Sequence, residues 1–319
     1  VSDKKNKINL KKAARITGNI IMIAALVFIV KKIIDMDIDV NQFRSPSVIA
    51  ALIIGMIIQT VIWLCACYPW LVFTRSLSGR KIPFSAAMPV YTKSNIYKYL
   101  PGNVLQYVGR NKLATDMNIS HVDVACATIL DIIFCVIGTG IVSLILLRGM
   151  IAGLLSKYGM QIAIVGVVGV LVLAAIAALL YLKFRDKFRE YIKRYSKALE
   201  KENRKSLLRG ILYYFAQNIV SAVMYFICLR LILGENASIS ELISYTGAFL
   251  FAWIVGFVTI GAPGGIGIRE SVMMFVCGEK FADKILLFVL VMRVSSILAD
   301  VLAFVIGKIY DKQHNGKLS

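Results

Sequence analysis

Of 319 residues, 58% are hydrophobic and only 17% charged, and the mean hydropathy is +0.74, which excludes an ordinary soluble globule because no core of this size hides so much apolar surface. The formal net charge of +19 does not indicate nucleic acid as the main partner: Lys and Arg sit at the ends of apolar runs, where the positive-inside rule and anionic lipid place them. The chain reads as an all-α polytopic membrane protein.

A basic region (Lys4, Lys5, Lys7, Lys11, Lys12, Arg15) precedes the first apolar run, Ile16 to Ile34. Lys31 and Lys32 stand where a signal peptide would carry a small-residue cleavage site, so an uncleaved first helix is expected. The linker after it balances Lys31, Lys32 and Arg44 against Asp35, Asp37 and Asp39, which places it outside the cytoplasm. Ser47 to Phe73 returns. No acidic residue occurs from Val40 to Thr115, whereas Arg75, Arg80, Lys81, Lys93, Lys98, Arg110 and Lys112 follow the second span, so this region belongs on the cytoplasmic side.

Within it, Pro83 to Lys112 is too polar for a plain span and too apolar for a loop. It reads as a re-entrant hairpin turning at Pro101-Gly102; the alternative is an amphipathic surface helix anchored by Tyr91, Tyr97, Tyr99 and Tyr107. Val122 to Leu147 is the next full span and carries Asp131. Gln161 to Leu182 returns to a basic cytoplasmic segment, Lys183 to Arg209, with eleven basic and four acidic residues. Gly210 to Leu233 crosses outward to Glu235 and Glu241.

Leu242 to Ile260 enters again and meets Gly261-Ala262-Pro263-Gly264-Gly265-Ile266-Gly267-Ile268-Arg269-Glu270. Only Ile266 to Cys277 follows before Gly278-Glu279-Lys280, and twelve residues reach about 18 Å, short of a hydrocarbon core of roughly 30 Å. The turn is therefore expected inside the membrane. Ile285 to Gly307 then brings the chain in, with Lys308, Lys312 and Lys317 holding the C-terminus in the cytoplasm.

An offset of 162 residues carries Ser47–Phe73 onto 209–235, Pro101-Gly102 onto Pro263-Gly264, and Val122–Leu147 onto 284–309. About six full spans plus two re-entrant hairpins thus form an inverted repeat, 16–147 and 160–307, around the basic linker 183–209, with both termini cytoplasmic.

If both hairpins form, two helix N-termini face the midplane from opposite sides, each with unpaired N–H groups that suit an anion. The expected headgroup-binding set is Pro101, Gly102, Asn103, Gln106, Tyr107 and Arg110 at one tip, and Pro263, Gly264, Gly265, Gly267, Arg269 and Glu270 at the other. Arg110 and Arg269 would hold a phosphate, with Glu270 orienting Arg269. The alternative for the glycines is close helix packing plus a turn. Asp131 and Arg293 occupy equivalent positions of the repeats, and each needs an opposite charge, which the other can supply. With Ser296 and Asp300, Arg293 forms a stripe on one helix face, serving as a gate or as structural ion pairs. Gln217, Asn218 and Ser221 make a smaller polar patch suited to interhelical hydrogen bonds.

The six cysteines lie in apolar runs without metal or disulfide spacing, and neither His121 nor His314 has ligand spacing to other groups. Neither a metal nor a cofactor is expected, and no catalytic set is apparent.

Tyr99-Leu100-Pro101-Gly102-Asn103-Val104-Leu105-Gln106-Tyr107-Val108-Gly109-Arg110 and Ala262-Pro263-Gly264-Gly265-Ile266-Gly267-Ile268-Arg269-Glu270 resemble the two signature stretches of the lysylphosphatidylglycerol synthase transmembrane-region family, the flippase-like membrane half of the multiple peptide resistance factor. The likeness runs from about Ile16 to Gly307. In the full-length factor a soluble domain moves lysine from lysyl-tRNA to phosphatidylglycerol, and this sequence contains no such domain. The resemblance therefore implies a bacterial inner-membrane transporter moving a phosphate-bearing lipid between leaflets: aminoacyl-phosphatidylglycerol, another phospholipid or a polyprenyl-phosphate-linked glycan. The alternatives are a phosphatidylglycerol lysyltransferase or its membrane subunit, and a scaffold for envelope glycosyltransferases. Expected partners are anionic membrane lipids, an envelope glycosyltransferase or a separate synthase, and a second copy of the chain.

Overall fold

The structure is a computed structural model that describes residues 43–99, 105–115, 117–183, 201–259, 265 and 267–314. The first predicted helix (Ile16 to Ile34), both predicted hairpin tips and most of the basic linker lie outside the described residues. Those described form helices and no strand.

The first element, α1 (Pro46–Cys65), starts with a proline where a missing N–H is harmless. It yields at Ala66 to α2 (Cys67–Ser78), because Pro69 supplies no N–H and its ring crowds the carbonyl four residues back. Then come α3 (Phe84–Asn95), a 3₁₀ turn Ile96–Tyr99, and α4 (Leu105–Thr115). After α5 (His121–Lys183) follow α6 (Lys201–Leu233), α7 (Ile239–Val258), α8 (Ile268–Cys277) and α9 (Ala282–His314). The entry of α7 is a capping box, with Ser238 and Glu241 each accepting from the other's backbone N–H.

Among the described residues, five helical segments are long and apolar enough to cross a membrane: Pro46–Ser78, His121–Ile151, Leu207–Asn236, Ile239–Val258 and Ala282–His314. Ile49, Ile53 and Ile57 on α1, and Ile129, Ile133 and Ile137 on α5, form exposed apolar stripes at helical spacing, which water would not tolerate and lipid does. This is a multi-pass membrane protein.

Two expectations change. Instead of separate spans Val122–Leu147 and Gln161–Leu182 joined by a turn, α5 is one continuous helix of 63 residues. No proline falls within it, and Gly149, Gly153 and Gly159 each weaken a helix by only about 1 kcal/mol, so no local signal stops it. At about 1.5 Å per residue it extends for roughly 95 Å, three times the hydrocarbon thickness. Second, α7 has 20 residues, enough to cross alone, whereas α8 has ten and is too short.

Both predicted hairpins are packed helix pairs, α3 on α4 and α7 on α8. A Cβ on Gly109 would fall 2.4 Å from the Tyr97 ring, and one on Gly265 would fall 2.9 Å from the Gly256 Cα, so each pair closes on a glycine. Lys280, just past α8, pairs with Glu241 in the first turn of α7, so both arms of the second hairpin return to one level. The halves then exchange partners: α3 lies on α9, and α7 lies on α5. Helices α1 and α6 pack against each other at the centre, with Tyr225, Phe249 and Phe288 stacked edge to face beside them.

Candidate functional site

In the first half, Arg110 on α4 is 2% exposed and Asp131 on α5 is 5% exposed. Their closest contact is 3.2 Å. Arg110 also donates to Ser94 Oγ at 3.2 Å and to Asn95 Oδ1 at 3.1 Å, and its guanidinium lies 3.7 Å from the Tyr91 ring centroid. Asp131 accepts from Tyr91 at 3.3 Å and from Tyr214 of α6. The pair is neutral and its donors are engaged on three sides, so Arg110, expected to bind a headgroup, serves instead to pin α3, α4, α5 and α6 together. The buried Tyr91 also removes the surface-helix alternative for this region.

The second half is built differently. Gly265 and Gly267 have φ of 68° and 83°, a region closed to most side chains. That backbone turns Gly267 N–H onto Glu270 Oε2 at 2.9 Å and the Gly265 carbonyl onto Arg293 at 2.7 Å. Arg293 Nη2 donates to Glu270 Oε2 at 2.8 Å, and its Nε lies 2.6 Å from Oε1. Asp131 and Arg293 therefore do not pair with each other; each is neutralised by the hairpin of its own half. Nor does Glu270 orient Arg269, because both its oxygens are committed to Arg293 and Gly267.

Asp300, 2% exposed, is held by two residues flanking the first tip. Lys98 Nζ lies 2.6 Å from it and Tyr99 donates at 2.5 Å. Lys98 also sits 4.2 Å from the Trp63 ring centroid. Tyr99 additionally bonds Ser296. The polar stripe of α9 thus reaches both hairpins, Arg293 toward the second and Ser296 with Asp300 toward the first.

Between these contacts lies a cavity of about 50 Å³. Its polar lining is Gln59, Thr139, Gln217, Asn218, Ser221, Arg269 and Ser296, with Trp63, Phe249 and Trp253 among the rest. Gln59, Thr139, Asn218 and Ser296 fall in the central parts of the four apolar segments Pro46–Ser78, His121–Ile151, Leu207–Asn236 and Ala282–His314, which puts the cavity about midway along them. Three buried side-chain atoms of its lining have no hydrogen-bond partner among the described residues: Trp63 Nε1, Gln217 Oε1 and Arg269 Nε. Among the described residues Arg269 also forms no ion pair, although it lies within electrostatic range of Lys98, Tyr99, Glu270, Arg293 and Asp300.

Of the predicted set, Gly265, Gly267, Arg269 and Glu270 come together beside the cavity, while Arg110 belongs to a separate cluster. Gln106 is buried and Tyr107 lies 5.9 Å from the Arg110 guanidinium. Pro101, Gly102, Asn103, Pro263 and Gly264 lie outside the described residues. Lys98, in the cytoplasmic basic run, and Tyr99, at the predicted hairpin turn, are not among the expected site residues; the signal that points to them is Asp300, an intramembrane carboxylate that needs a cation. Gln59 and Trp63, in an otherwise apolar span, gave no such signal. Asp123, Cys126 and the other cysteines form no metal-binding group among the described residues.

No family model, curated protein or solved structure matches this chain.

Proposed function

We propose that this chain is a membrane lipid transporter of the lysylphosphatidylglycerol synthase transmembrane-region type, residing in a bacterial inner membrane and passing a phosphate-bearing headgroup between leaflets. The observation that carries this reading is Arg269: among the described residues it is a cation without a counter-ion, its Nε buried and unpartnered, on a polar cavity midway along the apolar segments. An uncompensated charge at such a depth is costly, and a protein retains one where an anion is to be bound.

The architecture supports the same reading. The second hairpin reaches the cavity through Arg269, the first touches Ser296 of its wall through Tyr99, and the halves exchange equivalent contacts, as expected for an inverted repeat with re-entrant segments and alternating access. In this reading the spans number about six, counting Ile16 to Ile34, and both termini face the cytoplasm.

The test is scrambling of a fluorescent phospholipid in proteoliposomes reconstituted with purified protein. Arg269→Ala is expected to lower the rate at least about tenfold while the protein still elutes as the wild type does. Transport at the wild-type rate would show that Arg269 is not the ligand and would leave the cavity without a role.

A further inference from the structure

Charge counting around the cavity restricts its ligand further than "phosphate-bearing". Five ionised side chains cluster there: Lys98, Arg269 and Arg293 against Glu270 and Asp300. Glu270 is spent on Arg293 and Asp300 on Lys98. The cluster therefore carries one positive charge in excess, on Arg269, and the hairpin tips 100–104 and 260–264 contain no ionisable residue that would change the count. The Arg110–Asp131 pair is neutral by itself.

The unpartnered atoms match this charge. Trp63 Nε1 and Arg269 Nε are donors, whereas Gln217 Oε1 is an acceptor. Two donors suit the two non-bridging oxygens of a phosphodiester, and an acceptor beside them suits a hydroxyl of the same headgroup. Among the lining residues there is no carboxylate to receive an ammonium or a trimethylammonium group. A cavity of about 50 Å³ holds a few waters at roughly 10–15 Å³ each, which fits one phosphate and not a diphosphate with its glycan.

We infer that the cavity selects a lipid headgroup with one negative charge, on a phosphodiester, a neighbouring hydroxyl and no fixed positive charge. That the ligand is a lipid rests on the transport reading above; the charge requirement rests on the cavity alone. A phosphomonoester, dianionic above its second pKa, leaves one negative charge uncompensated, and an aminoacylated or choline headgroup adds a cation next to Arg269.

Native mass spectrometry of the full purified chain decides it, with dioctanoyl phosphatidylglycerol, dioctanoyl phosphatidic acid and dioctanoyl phosphatidylcholine compared at pH ~8. Phosphatidylglycerol is expected to bind at least about tenfold better than either of the others. Arg269→Gln is expected to erase the discrimination. Gln217→Lys, which adds a second uncompensated cation, is expected to turn the preference toward phosphatidic acid, with Ser221→Lys as the replacement should that variant not fold. Equal or better binding of phosphatidic acid or phosphatidylcholine to the wild type, an unchanged order in the lysine variants, or no binding of any of the three overturns the inference. Liposome scrambling separates the two claims: selective binding without translocation sinks the transport reading alone, and translocation of all three lipids at one rate sinks the charge requirement alone.

Discussion

The two halves hold equivalent ion pairs with the charges exchanged. In the first, the hairpin helix supplies the cation and the following span the anion, Arg110 with Asp131; in the second, the hairpin supplies Glu270 and the span Arg293. The first pair is nearly sealed, with side chains 2% and 6% exposed, and the second is looser at 12% and 13%. In the first hairpin Lys93, Lys98 and Arg110 each have a carboxylate partner. The second has an additional arginine, Arg269, next to its pair, and that surplus separates the closed clamp from the proposed binding site. Asp131 and Arg293 are related by the 162-residue offset read from the sequence, and the second pair differs by the one extra cation beside it.

Breaking each pair in the same way measures the contrast. Asp131→Asn leaves Arg110 buried without a counter-charge and is expected to destabilise the protein by about 3–5 kcal/mol, read as the denaturation midpoint in detergent. Glu270→Gln is expected to lose less, about 1–3 kcal/mol, since Arg293 is more exposed and keeps the Gly265 carbonyl. Because it also leaves Arg293 uncompensated beside Arg269, it should raise affinity for anionic lipid while lowering stability. Equal losses from the two substitutions would end the distinction between clamp and site.

The exchanged interfaces differ as well. Helix α7 approaches α5 through Gly247, whose added Cβ would fall 2.8 Å from Leu146 Cβ and 3.0 Å from the Leu147 backbone nitrogen, and Ser143 donates to the Gly247 carbonyl at 2.9 Å. Backbone cannot give way there, so Gly247→Ala is expected to cost about 1–3 kcal/mol. A neutral result in the same denaturation assay would mean that α7 slides on α5.

Much of this was legible in the sequence, and the reasons are local. Apolar length and charge placement identify α1, α6 and α9, and the Pro-Gly pairs locate both hairpins, because those signals act within a few residues. The offset between Asp131 and Arg293 marks equivalent sites, yet it does not say what each one touches. Their partners, Arg110 and Glu270, lie about twenty residues away along the chain and are brought into reach by the folding back of each hairpin, a tertiary event with no periodicity. The long α5 differs for the opposite reason: two spans, Val122–Leu147 and Gln161–Leu182, are expected where no proline stops the helix between them. The cavity is assembled from no more than a few side chains on each of six helices, so no one stretch announces it.

The smallest effect belongs to the outermost ion pair between the first hairpin and the last span. Lys93 pairs with Asp311, their side chains 27% and 33% exposed, near the end of α9 and well away from the cavity lining. Partly solvated pairs contribute about 0–1 kcal/mol and are screened by salt. Lys93→Met is therefore expected to shift stability by less than about 1 kcal/mol, and high salt should diminish the difference between variant and wild type. If α3 must leave α9 for the cavity to open toward that end, the same substitution should speed lipid scrambling at low salt while leaving lipid binding unchanged, whereas an interface that stays closed throughout transport would give no change in rate. The corresponding contact of the other half, Gly247 against Leu146 and Leu147, has no charge to screen, so only the α3–α9 side should respond to ionic strength.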